Sequence, residues 1–260
     1  MPLRHVAVVM VETAEPGNAG AAARVMKNFG ARRMVLVAPK FEPMDGLARA
    51  FAAGASEILR AATVAPTLRE ALAPFELTIA LTGVQGHHRV LECIDAIPTK
   101  LLTGRKPDER IALVFGREES GFTNEEANLC AWRWRLPTSA AFPSLNLAQA
   151  VGIALAAVAE ARRQLGQSAP AVDDGVTERA LRSGAHPKSK DNPASQEEVT
   201  RALEHLRAEM IASGYEDSVR TDAAISVVRS LFARAALTHR EAQLVRGLLR
   251  QSRWRRDQRG

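Results

Sequence analysis

Val6-Ala7-Val8-Val9-Met10-Val11 is a run of six apolar residues, four of them valine, closed by Glu12 and followed by Glu15-Pro16-Gly17-Asn18. A strand with one wet face would alternate apolar and polar residues, and this run does not. It predicts a strand buried on both faces, as in a parallel sheet. The chain then reads Ala21-Ala22-Ala23-Arg24-Val25-Met26-Lys27-Asn28-Phe29-Gly30. That is helical, with Gly30 suited to the helix C-terminus. Met34–Val37 supplies a second strand, and Leu77–Leu81 and Ile111–Phe115 two more, with helical patterns between them, as around Leu68–Leu72. Strand and helix alternating at this spacing predict an α/β fold, a mostly parallel sheet with helices on both faces.

Thr123-Asn124-Glu125-Glu126 matches a capping box and predicts a short helix to about Cys130. Ser144 reads as the cap of a further helix from Leu145 to about Leu165, dense in Ala and Gly. These elements define a main domain over residues 1–165. Residues 166–196 are rich in Gly, Ser, Pro, Asp and Lys and read as a linker. Residues 197–260 regain helical periodicity in three apolar stripes: Val199/Leu203/Leu206/Met210/Ile211, Ile225/Val228/Leu231/Phe232, and Leu244/Val245/Leu248/Leu249. They predict a small all-helical C-terminal module.

The chain has 260 residues and a formal net charge of +6. Within its last fifteen residues or so, Arg246, Arg250, Arg253, Arg255, Arg256 and Arg259 face only Asp257. Such a tail is either a solvated end or an arm for phosphates. The two cysteines, Cys93 and Cys130, form no close pair, and the six histidines show no metal-ligand spacing, so no disulfide framework or metal is expected. The first apolar run is too short for a signal peptide, and no stretch is long enough to span a membrane. The expected compartment is the cytoplasm.

In open parallel sheets ligands bind beyond the carboxyl ends of the strands. The segments there are Pro16–Gly20, Thr82-Gly83-Val84, Gly116–Gly121 and Pro137-Thr138-Ser139, all rich in Gly or small polar residues. None has the spacing of a P-loop or of GxGxxG, which disfavours an ordinary nucleotide or dinucleotide site. Read singly, Asn18 is a turn residue or cap, Arg24 an arginine that snorkels from an apolar helix, Gly116–Gly121 a tight turn and Ser144 a helix start.

Taken together, three segments resemble the SPOUT class of RNA methyltransferases, in the branch that modifies the ribose 2′-hydroxyl. They are Asn18-Ala19-Gly20-Ala21-Ala22-Ala23-Arg24, Phe115-Gly116-Arg117-Glu118-Glu119-Ser120-Gly121, and Ser144-Leu145-Asn146-Leu147-Ala148-Gln149-Ala150. Val11-Glu12-Thr13, Thr123-Asn124-Glu125-Glu126 and the helical C-terminal segment are similar to one subfamily, the TrmJ-type tRNA methyltransferases. The resemblance departs at Thr82-Gly83-Val84-Gln85-Gly86-His87-His88-Arg89, where relatives usually carry Thr-Ser-Ala-Arg, and at Pro143.

The resemblance implies a trefoil-knotted domain, a homodimer, S-adenosylmethionine as methyl donor, and tRNA as substrate, at the pyrimidine in anticodon-loop position 32. It implies catalytic roles for Arg24, Asn18 and Ser144. A cofactor pocket would be formed by Thr82, Gly83, Val84, Gly116, Leu136, Pro143, Ser144 and Leu145. Arg24, Arg117, Arg253, Arg255 and Arg256 would face RNA. An arginine side chain is effectively always protonated, so Arg24 is expected to position the ribose and stabilise developing negative charge rather than to accept a proton. The alternatives on the same fold are a ribosomal RNA 2′-O-methyltransferase and a non-catalytic RNA-binding protein.

Overall fold

The computed structural model describes residues 3–82, 93–94, 99–106, 108–139, 141–166, 192–215 and 218–257. Seven strands form one sheet: β1 (Val6–Val11), β2 (Arg33–Val37), β3 (Thr63–Ala65), β4 (Leu77–Thr82), β5 (Cys93–Ile94), β6 (Ile111–Phe115) and β7 (Trp132–Arg135). Their order is β3-β2-β1-β6-β4-β7-β5, and every pairing is parallel. The α/β expectation therefore holds, and β1, flanked by β2 and β6, is buried at all six positions. The knot implied by the family resemblance depends in part on residues 83–92 and 95–98, which lie outside the described residues.

The unbroken apolar run of β1 is explained by two cores. Val6, Val8 and Met10 face α1 (Pro16–Asn28), α2 (Gly46–Ala52), α3 (Ser56–Arg60) and a long helix over Leu147–Gln164. Ala7, Val9 and Val11 face the opposite core, with Leu68 and Leu72 of α4 (Leu68–Leu72), Phe75 and Cys130. Helices α5 (Thr99–Leu102) and α6 (Asn124–Leu129) complete the connections, so the Leu147–Gln164 helix is α7. The capping box expected for α6 is present: Thr123 Oγ1 accepts from Glu126 N, and Thr123 N donates to Glu126. Among the described residues no helix is long and apolar enough to cross a membrane.

Helices α1 and α2 touch at backbone distance. A Cβ on Gly20 would lie 2.1 Å from the Ala48 carbonyl oxygen and 2.9 Å from Phe51 Cβ. Gly20→Ala must push the two helices apart, at a cost of about 1–3 kcal/mol. A melting temperature several degrees lower is expected, and an unchanged one would contradict this account of the glycine.

The three C-terminal helices are α8 (Gln196–Ala212), α9 (Ser218–Ala235) and α10 (His239–Asp257). Ser195 and Glu198 form a capping box at α8, so the helix opens at Gln196, one residue inside the segment read as linker. Val199, Leu203, Ile225 and Ala242 make the small core, with Leu206, Met210, Val228 and Phe232 at its margin. The first two sequence stripes face inward except at Ile211 and Leu231, which are 45% and 47% exposed. The third does so less, since Leu244 and Leu248 are 61% and 59% exposed.

The module rests on the amino ends of the sheet strands. Gln196 N donates to the Phe75 carbonyl and Glu197 N to the Ala73 carbonyl, so two N–H groups that a free helix leaves to water are bound to the main domain. Arg105, just ahead of β6, pairs with Glu109 and donates to the Ala233 carbonyl. Arg69 on α4 meets Glu204 at 3.2 Å.

Candidate active site

The carboxyl ends of β1, β4, β6 and β7 run into Glu12, Thr82, Gly116 and Leu136. There the three motifs meet through hydrogen bonds. Asn18, in the first turn of α1, donates from Nδ2 to Glu118 Oε1 at 3.1 Å. Its Oδ1 accepts from Asn146 Nδ2 at 3.0 Å. Asn146 Oδ1 in turn accepts from Ala148 N at 2.9 Å and Gln149 N at 3.3 Å. Glu118 Oε2 accepts from Ala14 N at 3.3 Å.

The polarity of this relay is set at both ends. Backbone N–H groups of α7 can only donate, and an ionised carboxylate can only accept. The amide oxygen of Asn146 must therefore face the helix, its NH₂ must face Asn18, and the NH₂ of Asn18 must face Glu118. The two amides have one consistent orientation, joining residues 18, 118 and 146.

Ser144 was expected to cap the helix, and the structure corrects this. Asn146 is the N-cap, with extended backbone at φ −56°, ψ 141°, and α7 starts at Leu147. The Asn146 side chain reaches the N–H groups two and three residues ahead, which is the geometry of an N-cap. Ser144 lies two residues upstream, exposed, with no hydrogen-bond partner among the described residues.

Around Glu118 the β6 loop is tightly closed. Arg117 and Gly121 exchange two backbone hydrogen bonds of 3.1 Å, and Gly121 has φ +65°. A Cβ on Gly116 would lie 2.6 Å from the Gly121 carbonyl carbon, so the loop needs glycine at both positions. Arg117 is half-buried and engaged by carboxylates. Its two terminal nitrogens each meet a Glu126 oxygen at 2.8 Å, and it also pairs with Glu12. Hydrogen bonding to Glu126 and then Glu12 favours the charged guanidinium, and Arg117 holds both carboxyls below the usual carboxylate range. That stabilisation is present above the ordinary carboxylate pKa and is lost as pH falls through the lowered values. Sequence reading missed Glu12 and Glu126 as partners. The available signal was a glutamate closing a valine run and a second one already placed in a capping box.

Arg24 is exposed on α1 and has no hydrogen-bond or ion-pair partner among the described residues. Six residues of helix put its backbone about 9 Å along the axis from Asn18. Ala22 and Ala23 beside it are buried, so Arg24 stands on the outer face of an inward-packed helix. The structure does not bring it into hydrogen-bond contact with the Asn18 relay.

Of the residues expected around S-adenosylmethionine, Thr82, Gly116 and Leu136 end three adjacent strands. Leu136 is buried and Leu145 half-buried against the core below α7, while Pro143 is exposed. Gly83 and Val84 lie outside the described residues. Leucines beside small residues at the strand ends are the side-chain types that suit the flat face of an adenine ring. Arg253 is exposed on α10; Arg255 and Arg256 belong to α10, but their side chains lie outside the described ones. No group of three or more His, Cys, Asp or Glu that could hold a metal occurs among the described residues. Burial pushes the Cys130 thiol up to about 12, which leaves it inert as a nucleophile.

Residues 5–156 match the SpoU rRNA Methylase family. The chain is 32% identical, over 95% of its length and 93% of the relative, to the tRNA (cytidine/uridine/adenosine-2′-O-)-methyltransferase TrmJ of Pseudomonas aeruginosa. It is also 32% identical, over 95% of its length and 91% of the relative, to the tRNA (cytidine/uridine-2′-O-)-methyltransferase TrmJ of Yersinia pestis. The crystal structure of TrmJ from Z. mobilis superposes with a TM-score of 0.71 at 25% identity, covering 97% of this chain and 99% of that one. With its three motifs joined at one end of a parallel sheet and residues 5–156 matched by the family model, the chain belongs to the SpoU methylase family of methyltransferases.

Proposed function

We propose that this enzyme transfers a methyl group from S-adenosylmethionine to the ribose 2′-hydroxyl of a tRNA pyrimidine, at position 32 of the anticodon loop, as a cytoplasmic homodimer. The observation that carries the reading is the Glu118–Asn18–Asn146 relay, which joins Asn18 to residues 100 and 128 positions away at the ligand end of the sheet. The donor supplies a methyl group on a positively charged sulfur. What the chain must supply is alignment of the ribose oxygen with that methyl, worth several orders of magnitude in rate.

Leu136, Leu145 and Gly116 bind the cofactor's flat base, with Thr82 at the rim. The relay holds the first turn of α1 against the β6 loop and so fixes the helix that carries Arg24. Arg24 positions the ribose and an adjacent phosphate and stabilises charge growing on the 2′-oxygen. The proton leaves to phosphate or water. Arg253, with Arg255 and Arg256, contributes phosphate contacts that hold the tRNA without reading its bases.

The family description names ribosomal RNA, but that match ends at residue 156. The relatives whose names specify tRNA align over 95% of the chain, an extent that must take in most of the helical module. This extent is what supports tRNA over a ribosomal substrate. The test is to incubate the purified protein with S-adenosylmethionine and either tRNA or ribosomal RNA, and to map 2′-O-methyl positions by mass spectrometry. A single methylated ribose at position 32 of tRNA is expected. Methylation confined to ribosomal RNA, or to another tRNA position, would overturn this assignment.

A further inference from the structure

We propose that Arg117 is a positioning residue, which sets the Glu118 carboxylate against Asn18 and makes no contact with RNA. The proposal rests on the methyltransferase reading above.

Adjacent residues of the β6 loop take different partners. Glu118 takes Asn18 and the Ala14 N–H. Arg117 takes Glu126 through two parallel hydrogen bonds and Glu12 through a third. A bidentate arginine–carboxylate pair fixes both distance and plane, which a single ion pair does not. The loop is thereby held on one side by α6 and on the other by the end of β1.

Both partners of Arg117 are themselves fixed. Glu126 is bound through the same oxygen, Oε2, to Thr123 N, so the capping box of α6 and the clamp on Arg117 share one carboxylate. Glu12 sits at φ +45°, in the left-handed region that a non-glycine residue adopts only under constraint. Its N–H donates to the Val37 carbonyl at 2.8 Å, and its carboxylate also receives Lys40 at 3.4 Å. The strained backbone turns this side chain back over the sheet end toward Arg117. Nothing about such a residue requires a ligand, and everything about it defines where the loop sits.

An RNA-contacting arginine must leave its guanidinium open to a phosphate. Here the guanidinium serves two carboxylates and the Gly121 carbonyl, at 3.3 Å. Phosphate approach would meet two negative charges already in place. The same argument gives the functional consequence of losing Arg117. Glu12 and Glu126 would then repel each other across an unclamped loop, and Glu118 would lose its register with Asn18.

The experiment compares Arg117→Ala, Arg117→Lys and Glu12→Gln with the parent chain. Single-turnover methylation at saturating tRNA is read alongside tRNA affinity across a salt series. Misplacement of a positioned group by about 1 Å costs on the order of 10²-fold in rate, and a fall of that size is expected for Arg117→Ala. Its salt dependence of tRNA binding should match the parent. Arg117→Lys should recover part of the rate, because lysine offers charge without the planar fork, and Glu12→Gln should fall in the same direction as Arg117→Ala. A salt slope shallower by about one unit, the mark of a lost phosphate contact, with methylation unchanged at saturation, would overturn the proposal. So would parent-like rate and affinity together.

A second readout is independent of any substrate. The side-chain NH₂ protons of Asn18 and Asn146 should exchange with solvent slowly in the parent and at least tenfold faster in Arg117→Ala. If the parent methylates no tRNA but this contrast is seen, the function assigned above fails and the positioning role stands. If the parent is active and the contrast is absent, the positioning role fails alone.

Discussion

Arg24→Ala is expected to lower single-turnover methyl transfer to tRNA by about 10²- to 10³-fold, the cost of removing one donor aimed at developing oxyanion charge. Its melting temperature should stay within experimental error of the parent. The two expectations come from the same observation: Arg24 is exposed, and no described residue holds it. A side chain with no partner in the folded chain contributes little to folding, so its loss can be read in chemistry alone. Arg24→Lys should remain well below the parent, since a single ammonium cannot hold a ribose and a phosphate in one plane. A methylation rate for Arg24→Ala within twofold of the parent would end the role assigned to this residue.

The second large effect is on stability. Glu76→Ala is expected to cost about 3–5 kcal/mol, the penalty for leaving a buried charge without its partner. Glu76 and Arg110 are side chains only 5% and 8% exposed, and they meet at 2.6 Å. Arg110 also offers its Nε and its backbone N–H, at 3.0 and 2.8 Å. Arg33 lies close by, its guanidinium 4.8 Å from the centre of the Phe75 ring. Burial and the neighbouring Arg110 both work against its charge, while Glu76 favours it. Removing the carboxylate leaves two arginines facing each other in a confined space. Chemical denaturation measures this, and the double substitution Glu76→Ala/Arg110→Ala should be less destabilised than the two single costs added together. A loss below about 1 kcal/mol, as for exposed pairs, would refute the buried-pair account.

The two predictions differ in how much of them could be read from sequence. Arg24 stands out as a charge among alanines, six residues after an asparagine, and the motif alone names it. Glu76 and Arg110 do not, because nothing in the chain says that residues 34 apart pair in the interior. The same division runs through the fold. The all-apolar β1 declares a strand buried on both faces, and β2, β4 and β6 follow it. β7 is implied only by the Pro137-Thr138-Ser139 loop that follows it: Trp132-Arg133-Trp134-Arg135 alternates rings with charges, and its strand character comes from pairing with β4 and β5. β3 has three residues, two of them exposed, too few for any periodicity. At the site, Asn18, Glu118 and Asn146 were each visible as members of motifs. Their hydrogen bonds were not, since they depend on three loops arriving at one place. Helix α7 shows the limit most directly. Ser144 and Asn146 are both good caps by composition, and only the extended backbone at Asn146 decides between them.

The helical module hangs from the amino ends of the strands, whereas the relay and the described residues proposed to hold the cofactor lie toward the carboxyl ends. Five- and six-residue strands separate those two levels by roughly 17–20 Å. A nucleic acid that touches both must therefore bridge the height of the sheet. The docking of α8 onto the Ala73 and Phe75 carbonyls ties that height to the backbone rather than to a loose tether.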